Sequence, residues 1–187
     1  MNDRKLLGDV AVFRNNHRIP LSSAERGKRR GTFPYYGAAG VIDTVDDFLF
    51  NGTFVLIGED GTVQVEGGHP MVTLARGKFW VSNHAHVVQA ATGSDVDTEF
   101  LRYSLANADV VPFLSGSVQP KLSMGNVKRI PIWWPDEDMR ARIVQALGSL
   151  DDLIEVNRGL MTSMEDLLAA RFAHFGFDEP GDAEPVV

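Results

Sequence analysis

The run Phe79-Trp80-Val81-Ser82-Asn83-His84-Ala85-His86-Val87-Val88 sets two histidines two positions apart among apolar neighbours. In a strand both imidazoles point to one face, which is how a metal site or a nuclease centre begins. A Zn²⁺ or Mg²⁺ site, however, needs three or four converging donors. The closest carboxylates in sequence, Glu66 and Asp95, fall outside the strand. Two histidines and an asparagine are too little for a nuclease centre, and a framework role, DNA contact and a metal site are weighed against one another on donor count. Glu59-Asp60 invites a paired-carboxylate reading, but adjacent strand residues point to opposite faces and Asp60-Gly61 is a turn signal. One of the two is expected to bond backbone amides or orient a basic side chain.

Three further groups have the chemistry of polyanion contact. Arg26, Lys28, Arg29 and Arg30 lie between Gly27 and Gly31, either a solvated loop or a phosphate clamp that gives affinity without sequence information. Tyr35 and Tyr36 follow, able to pack on a core or along sugar edges. In Gly116-Ser117-Val118-Gln119-Pro120-Lys121, Gln119 has the fork that pairs with adenine, and Lys121 can reach a guanine edge or a phosphate. The bland alternative is a packing turn. Lys78, before Phe79-Trp80, is a similar candidate.

Several chemistries lack their motifs. There is no GxxxxGK[ST] for a nucleotide, and Gly37-Ala38-Ala39-Gly40 lacks the rest of a dinucleotide fingerprint. The Asn-Pro-Pro-aromatic tetrapeptide of an amino-methyltransferase is missing, as are GxSxG and HExxH. Cysteine is absent, so disulfides and thiolate metal sites are excluded. No apolar run nears the roughly 20 residues of a membrane span, and the N-terminus does not read as a signal peptide; a cytoplasmic location is expected. The net charge of −7 would argue against a nucleic-acid partner were it evenly spread. Residues 1–135 carry 14 Lys and Arg against 13 Asp and Glu, whereas residues 136–187 carry 4 against 12. The acidity belongs to the C-terminal part, and the first part is free to meet a polyanion.

These residues need elements to hold them. Phe54–Ile57, Thr62–Val65, Met71–Leu74, Phe79–Val81 and His86–Val88 read as short strands, bounded by turn signals at Asn51-Gly52, Asp60-Gly61, Gly67-Gly68 and Arg76-Gly77. A helix is predicted near residues 98–110, with Asp97 and Thr98 as caps and Phe100, Leu101 and Leu105 on one face. From Asp136, a cap with an acidic first turn after it, a heptad frame runs on. Ile143, Leu150, Asn157 and Met164 fall at a; Leu153, Leu160 and Leu167 at d; Leu147, Ile154 and Met161 at e. A continuous helix over 138–172 would be roughly 50 Å long at 1.5 Å per residue, too long to hide this stripe on a small domain, so it is expected to pair with another helix. Asn157 would fix register and partner number. The alternative is a hairpin broken near Gly159. The whole is α+β: a compact, mainly antiparallel β domain over 1–135, a dimerisation and spacer helix over 136–175, and a disordered tail over 176–187.

Taken in order, Leu7-Gly8-Asp9-Val10, Pro34–Asp43 (PYYGAAGVID), Leu56-Ile57-Gly58-Glu59-Asp60-Gly61, Phe79–Val87 (FWVSNHAHV), Gly116–Leu122 (GSVQPKL) and Ile130-Pro131-Ile132 before a long helix resemble one family: the target recognition domain of type I restriction-modification DNA specificity subunits. No single stretch is diagnostic; their order and spacing are. Such subunits usually carry two recognition domains and two long helices, in chains about twice this length, so the chain resembles a half-subunit. The resemblance implies double-stranded DNA as ligand and a DNA adenine methyltransferase subunit as partner, with a restriction subunit as a further one. It places S-adenosylmethionine, ATP and Mg²⁺ on those partners and no cofactor in this chain. It also implies a non-catalytic role, a framework role for the His84–His86 segment, and a homodimer reading two inverted half-sites across an unread spacer. A fragment of a two-domain subunit stays open. So do two rivals: a small metal-dependent nuclease built on His84, His86 and a carboxylate, and a decoy that binds the methyltransferase subunit without useful DNA recognition.

Overall fold

The computed structural model describes residues 3–116 and 118–175; Ser117 and the predicted tail 176–187 lie outside the described residues. The chain divides into two compact units, residues 1–144 and 145–187.

The first unit is built on a six-stranded sheet. In chain order its elements are β1 (Arg4–Leu6), α1 (Leu7–Val10), β2 (Ala11–Phe13), α2 (Ser23–Lys28), β3 (Phe33–Gly37), β4 (Gly40–Val45), β5 (Phe50–Gly58), β6 (Val72–Val81), β7 (Ala85–Ala90), α3 (Asp95–Ala106), α4 (Met124–Val127), β8 (Pro131–Trp133) and α5 (Glu137–Phe175), the last continuing into the second unit. The sheet order is β2-β7-β5-β6-β3-β4, and β1 pairs separately with β8. Every pairing is antiparallel except β3 with β6, which run parallel with Tyr35 opposite Trp80.

The central strand β5 is covered on both faces, which is why Phe54-Val55-Leu56-Ile57 reads as an unbroken apolar run rather than an alternation. Val55 and Ile57 join Phe100, Leu101 and Leu105 of α3 in the main core. Phe54 and Leu56 face the other way, into an aromatic cluster with Phe50 and Phe79. There Phe50 stacks on Phe79 at 5.3 Å and Phe54 meets Phe79 edge-on at 5.6 Å, both favoured arrangements.

Several sequence expectations need correcting. Asn51-Gly52 and Arg76-Gly77 were expected as turns, yet Gly52 and Gly77 sit opposite each other inside the β5–β6 ladder. Their φ angles of +136° and +73° give the ribbon a local deformation that side-chain-bearing residues resist, without ending either strand. Val72–Leu74 and Phe79–Val81 are consequently parts of one strand, which leaves Met71 just before it. Thr62–Val65 forms no strand, making only an isolated bridge at Gln64–Pro70. The Pro34–Asp43 stretch, not read as strands, forms the hairpin β3–β4. α3 begins earlier than predicted, capped by Ser94, whose hydroxyl accepts the Asp97 amide; Asp97 and Thr98 are inside the helix with other work. At α5, Asp136 does cap, accepting the Met139 amide at 2.8 Å.

The second unit is described as helix alone, unbroken at Gly159. Leu147, Leu150, Leu153, Ile154, Leu160, Met161, Met164 and Leu167 are all exposed, as is Asn157. Ile143, assigned to the same stripe, instead packs against the core of the first unit. The apolar flank therefore starts at Leu147. Among the described residues no helix is long and apolar enough to cross a membrane.

Candidate nucleic-acid interface

The basic segment 26–30 separates into two kinds of side chain. Ser22 and Glu25 form a reciprocal capping box that starts α2, stabilising so short a helix from its first turn. Arg26 then donates to Asp43 at 2.9 Å and to the Leu21 carbonyl at 2.8 Å, with its guanidinium 5.0 Å from the Tyr35 ring centre. Its bond holds the Asp43 carboxyl below the usual carboxylate range, helped by the Thr44 amide. Arg29 donates to Asp46 at 2.9 Å and lies 4.8 Å from the Trp80 ring centre. These two arginines fasten α2 and the following loop to β3, β4 and β6. Lys28 and Arg30 point outward and are exposed.

Tyr35 is only 1% exposed, and its hydroxyl accepts the Leu21 amide at 3.0 Å. Contact with sugar edges is thus excluded for Tyr35, which is a core residue. Tyr36 is half-buried, edge-on to Phe79 at 5.4 Å, and burial pushes its hydroxyl pKa up. Lys78 is exposed, with its ammonium 4.7 Å from the Phe48 ring centre.

The two histidines part company. His86 is fully buried on β7, whereas His84 precedes the strand and is half exposed. The Nε2 of His86 lies 2.7 Å from the Leu122 carbonyl, which can only accept, so Nε2 carries the proton. Nδ1 accordingly accepts from the Asn15 amide nitrogen at 2.8 Å, while the Asn15 oxygen accepts the Val87 amide at 2.9 Å. Both ring nitrogens are spent, leaving no lone pair for a metal. Burial pushes the imidazole below its ordinary pKa. The Leu122 bond and the Glu59 charge pull upward against it; Arg18 and Lys121 reinforce it. Among the described residues, no three His, Cys, Asp or Glu side chains gather as a metal site would require.

Around this histidine the carboxylates of Glu59-Asp60 orient basic side chains, one of the roles expected for them. Glu59 accepts from Arg18 at 2.8 Å and lies 3.6 Å from the Lys121 ammonium. Arg18 also donates to the Ala85 and Asn83 carbonyls, tying the loop after β2 to the start of β7. Asp60 meets His84 through one oxygen and Lys121, at 3.8 Å, through the other. Ser115 and Lys121 exchange backbone hydrogen bonds at 2.9 and 2.8 Å, closing a loop in which Val118 and Gln119 are exposed. Next to it, the Leu122 amide donates to the Glu59 carbonyl. Asn15 and Arg18 escape the sequence reading, because the partners described for them lie 41 to 72 positions away and no local pattern marks them.

The structure thus gathers Lys121 and His84 around Asp60, with Gln119 exposed on the adjoining 115–121 loop, and leaves Lys28 at the end of α2 and Arg30 just beyond it exposed. The model of the type I restriction modification DNA specificity domain matches residues 3–165. A putative type I restriction enzyme specificity subunit of Haemophilus influenzae is 38% identical over 149 residues, 80% of this chain and 37% of that protein. The specificity subunit of the type I restriction enzyme EcoprrI of Escherichia coli is 26% identical over 151 residues, 80% of this chain and 36% of that protein. The chain therefore spans little more than a third of these curated relatives. The S subunit of a type I restriction-modification system from M. genitalium shares the fold, with a TM-score of 0.69 at 16% identity over 94% of this chain and 46% of that one. A chain from a structure of type I R-M complex assembly does so with a TM-score of 0.58 at 16% identity, over 91% and 44%. On the family match over residues 3–165, this chain belongs to the type I restriction modification DNA specificity domain family.

Proposed function

We propose that this chain is a non-catalytic reader of one DNA half-site in a type I restriction-modification system. Two copies pair through α5, so that a two-fold axis presents two readers to inverted half-sites separated by an unread spacer. A DNA adenine methyltransferase subunit, with or without a restriction subunit, docks on this pair; S-adenosylmethionine, ATP and Mg²⁺ are the partners' cofactors. The observation that carries the reading is the apolar flank of α5 from Leu147 to Leu168, exposed along its length in a chain of this family. A stripe at a, d and e positions is stable in water when a second helix covers it.

The first unit supports the DNA half of the reading through Lys28, Arg30, Lys78 and Lys121, all exposed. Such cations supply affinity through phosphates, while base edges supply specificity. Gln119, exposed on the 115–121 loop, is the candidate for an adenine edge. Selection from a randomised duplex library, with the chain alone and with its methyltransferase subunit, tests this. An inverted repeat with a fixed gap is expected; enrichment of no motif under either condition would overturn it in favour of the decoy.

A further inference from the structure

Asp60 is set apart from Glu59 by its partners. Glu59 beside it takes Arg18, lies close to buried His86 and shares Lys121 at 3.6 Å. Asp60 instead faces two half-exposed cation-capable side chains, one per carboxylate oxygen: His84 through Nδ1 and Lys121 through its ammonium. The backbone supports the same junction, with Asp60 and Lys121 forming an antiparallel bridge. His84 and Lys121 come from separate loops, 37 positions apart in sequence, and each is about half exposed (54% and 51%). A carboxylate that took no part in binding would weaken an interface for a polyanion, because like charges repel.

We propose that Asp60 is a positioning residue that brackets His84 and Lys121 into a two-pronged contact for a single DNA backbone phosphate. This rests on the DNA-reading function proposed above and adds a named contact to it. Lys121 supplies a fixed positive charge. His84 donates its Nδ1–H to Asp60, which leaves Nε2 for the phosphate. Donating from both ring nitrogens, to Asp60 through Nδ1 and to the phosphate through Nε2, it meets the phosphate in its doubly protonated form. The charged groups around His84 are Asp60 and Lys121, with Glu59 and Arg18 behind them; His86 is buried and neutral. Such a contact holds the 115–121 loop against the DNA backbone, and so sets where Gln119 meets the bases.

The test uses the full chain and duplex DNA carrying the selected site, with affinity measured against salt. Lys121→Met should reduce the slope of log Kd against log salt by about 0.9, one phosphate contact, and Lys121→Arg should restore it. His84→Gln should weaken binding roughly three- to tenfold, the scale of a part-exposed charged contact. Asp60→Asn gives the sharpest reading, because bracketing and simple repulsion predict opposite signs. Bracketing predicts roughly three- to tenfold weaker binding, the scale of a part-exposed charged contact. In the Lys121→Met, His84→Gln background the same change should cost nothing. Tighter binding by Asp60→Asn in the otherwise wild-type chain would overturn the bracket and leave the DNA-reading function intact. A wild-type chain with no affinity for duplex DNA would overturn both. Lys121 makes its loop bridges through the backbone, so Lys121→Met tests the site even if Asp60→Asn does not fold.

Discussion

Asp97 and Arg140, 43 positions apart, form a buried two-point ion pair: Nε donates to Oδ1 at 2.6 Å and Nη2 to Oδ2 at 3.1 Å. Arg140 also donates to the Pro135 carbonyl at 2.6 Å and lies 4.5 Å from the Trp134 ring centre. The first turn of α5 is thereby fastened to the first turn of α3 within the first unit. Thr92 donates to the same Asp97 carboxylate at 2.7 Å.

Removing one partner should cost far more than the pair itself contributes. Arg140→Met leaves a buried carboxylate whose charge is no longer compensated, which destabilises by roughly 3 kcal/mol. Burial acts upward on the Asp97 pKa, but the Arg140 and Thr92 bonds and the Arg140 charge outweigh it and hold the carboxyl below its ordinary value. A depressed carboxyl pKa adds stability that is present above the unfolded value of about 3.9 and lost as pH falls through the lower folded value. Acid titration followed by circular dichroism should show Arg140→Met unfolding at higher pH than wild type. Coincident acid midpoints would rule out this pair as a determinant.

His86 should make stability depend on pH with a different window. Its folded pKa is depressed, chiefly by burial, so above about 6.5 both states are neutral. As pH falls below that value the unfolded chain binds a proton that the native chain refuses, and stability drops until the folded pKa is reached. Urea unfolding over this range should show a slope in wild type that is smaller in His86→Leu, other histidines contributing equally to both. The variant should also lose about 1–3 kcal/mol at neutral pH, since the Leu122 carbonyl and the Asn15 amide are left without their partner. Equal slopes would mean that His86 protonates freely in the native state.

What could be read from sequence, and what could not, follows from the range of the forces. The continuous helix after Asp136 and the Phe100-Leu101-Leu105 face were legible because a period of 3.6 is local. The paired glycines Gly52 and Gly77 were misread because a turn signal and a strand deformation use the same residue, and only register across β5 and β6 distinguishes them. His84 and His86 seemed to lack carboxylates because Glu59 and Asp60 are 24 or more positions away, brought close by the β5–β7 pairing. Arg26 and Arg29 looked equivalent to Lys28 and Arg30, since nothing in a basic run tells which members meet Asp43 and Asp46. Ile143 fitted the heptad, but the core of the first unit reaches it first.

That division among the four basic residues has a measurable consequence. Lys28→Ala and Arg30→Ala should each reduce the salt slope of DNA binding by about 0.9 with unchanged thermal stability, as expected of exposed phosphate contacts. Arg26→Ala and Arg29→Ala should lower the thermal midpoint instead, because each removes an ion pair and a cation–ring contact that seat α2. Anisotropy titrations at several salt concentrations, beside thermal melts, separate the two effects. A salt slope unmoved by Lys28→Ala and Arg30→Ala would remove this segment from the interface.

Pairing through α5 can be tested apart from DNA. Leu153 and Leu160 occupy successive d positions, and both are more than half exposed in the single chain. In a two-stranded arrangement each would be a knob in the facing helix, and replacing a buried Leu with Asp forces desolvation of a carboxylate at a cost of several kcal/mol per site. Two such sites per chain, repeated by symmetry, exceed what a short helix pair retains. Static light scattering should therefore give about twice the chain mass of 20.6 kDa for wild type and the single mass for Leu153→Asp with Leu160→Asp. The double variant should keep its β-sheet fold, because neither side chain enters the core of the first unit. It should bind a half-site and lose the preference for a fixed gap between two. Asn157→Leu should remain associated but with relaxed register or partner number, since a buried amide at an a position costs stability in exchange for uniqueness. A monomeric wild type at micromolar concentration would contradict the pairing, because nothing else among the described residues covers this flank.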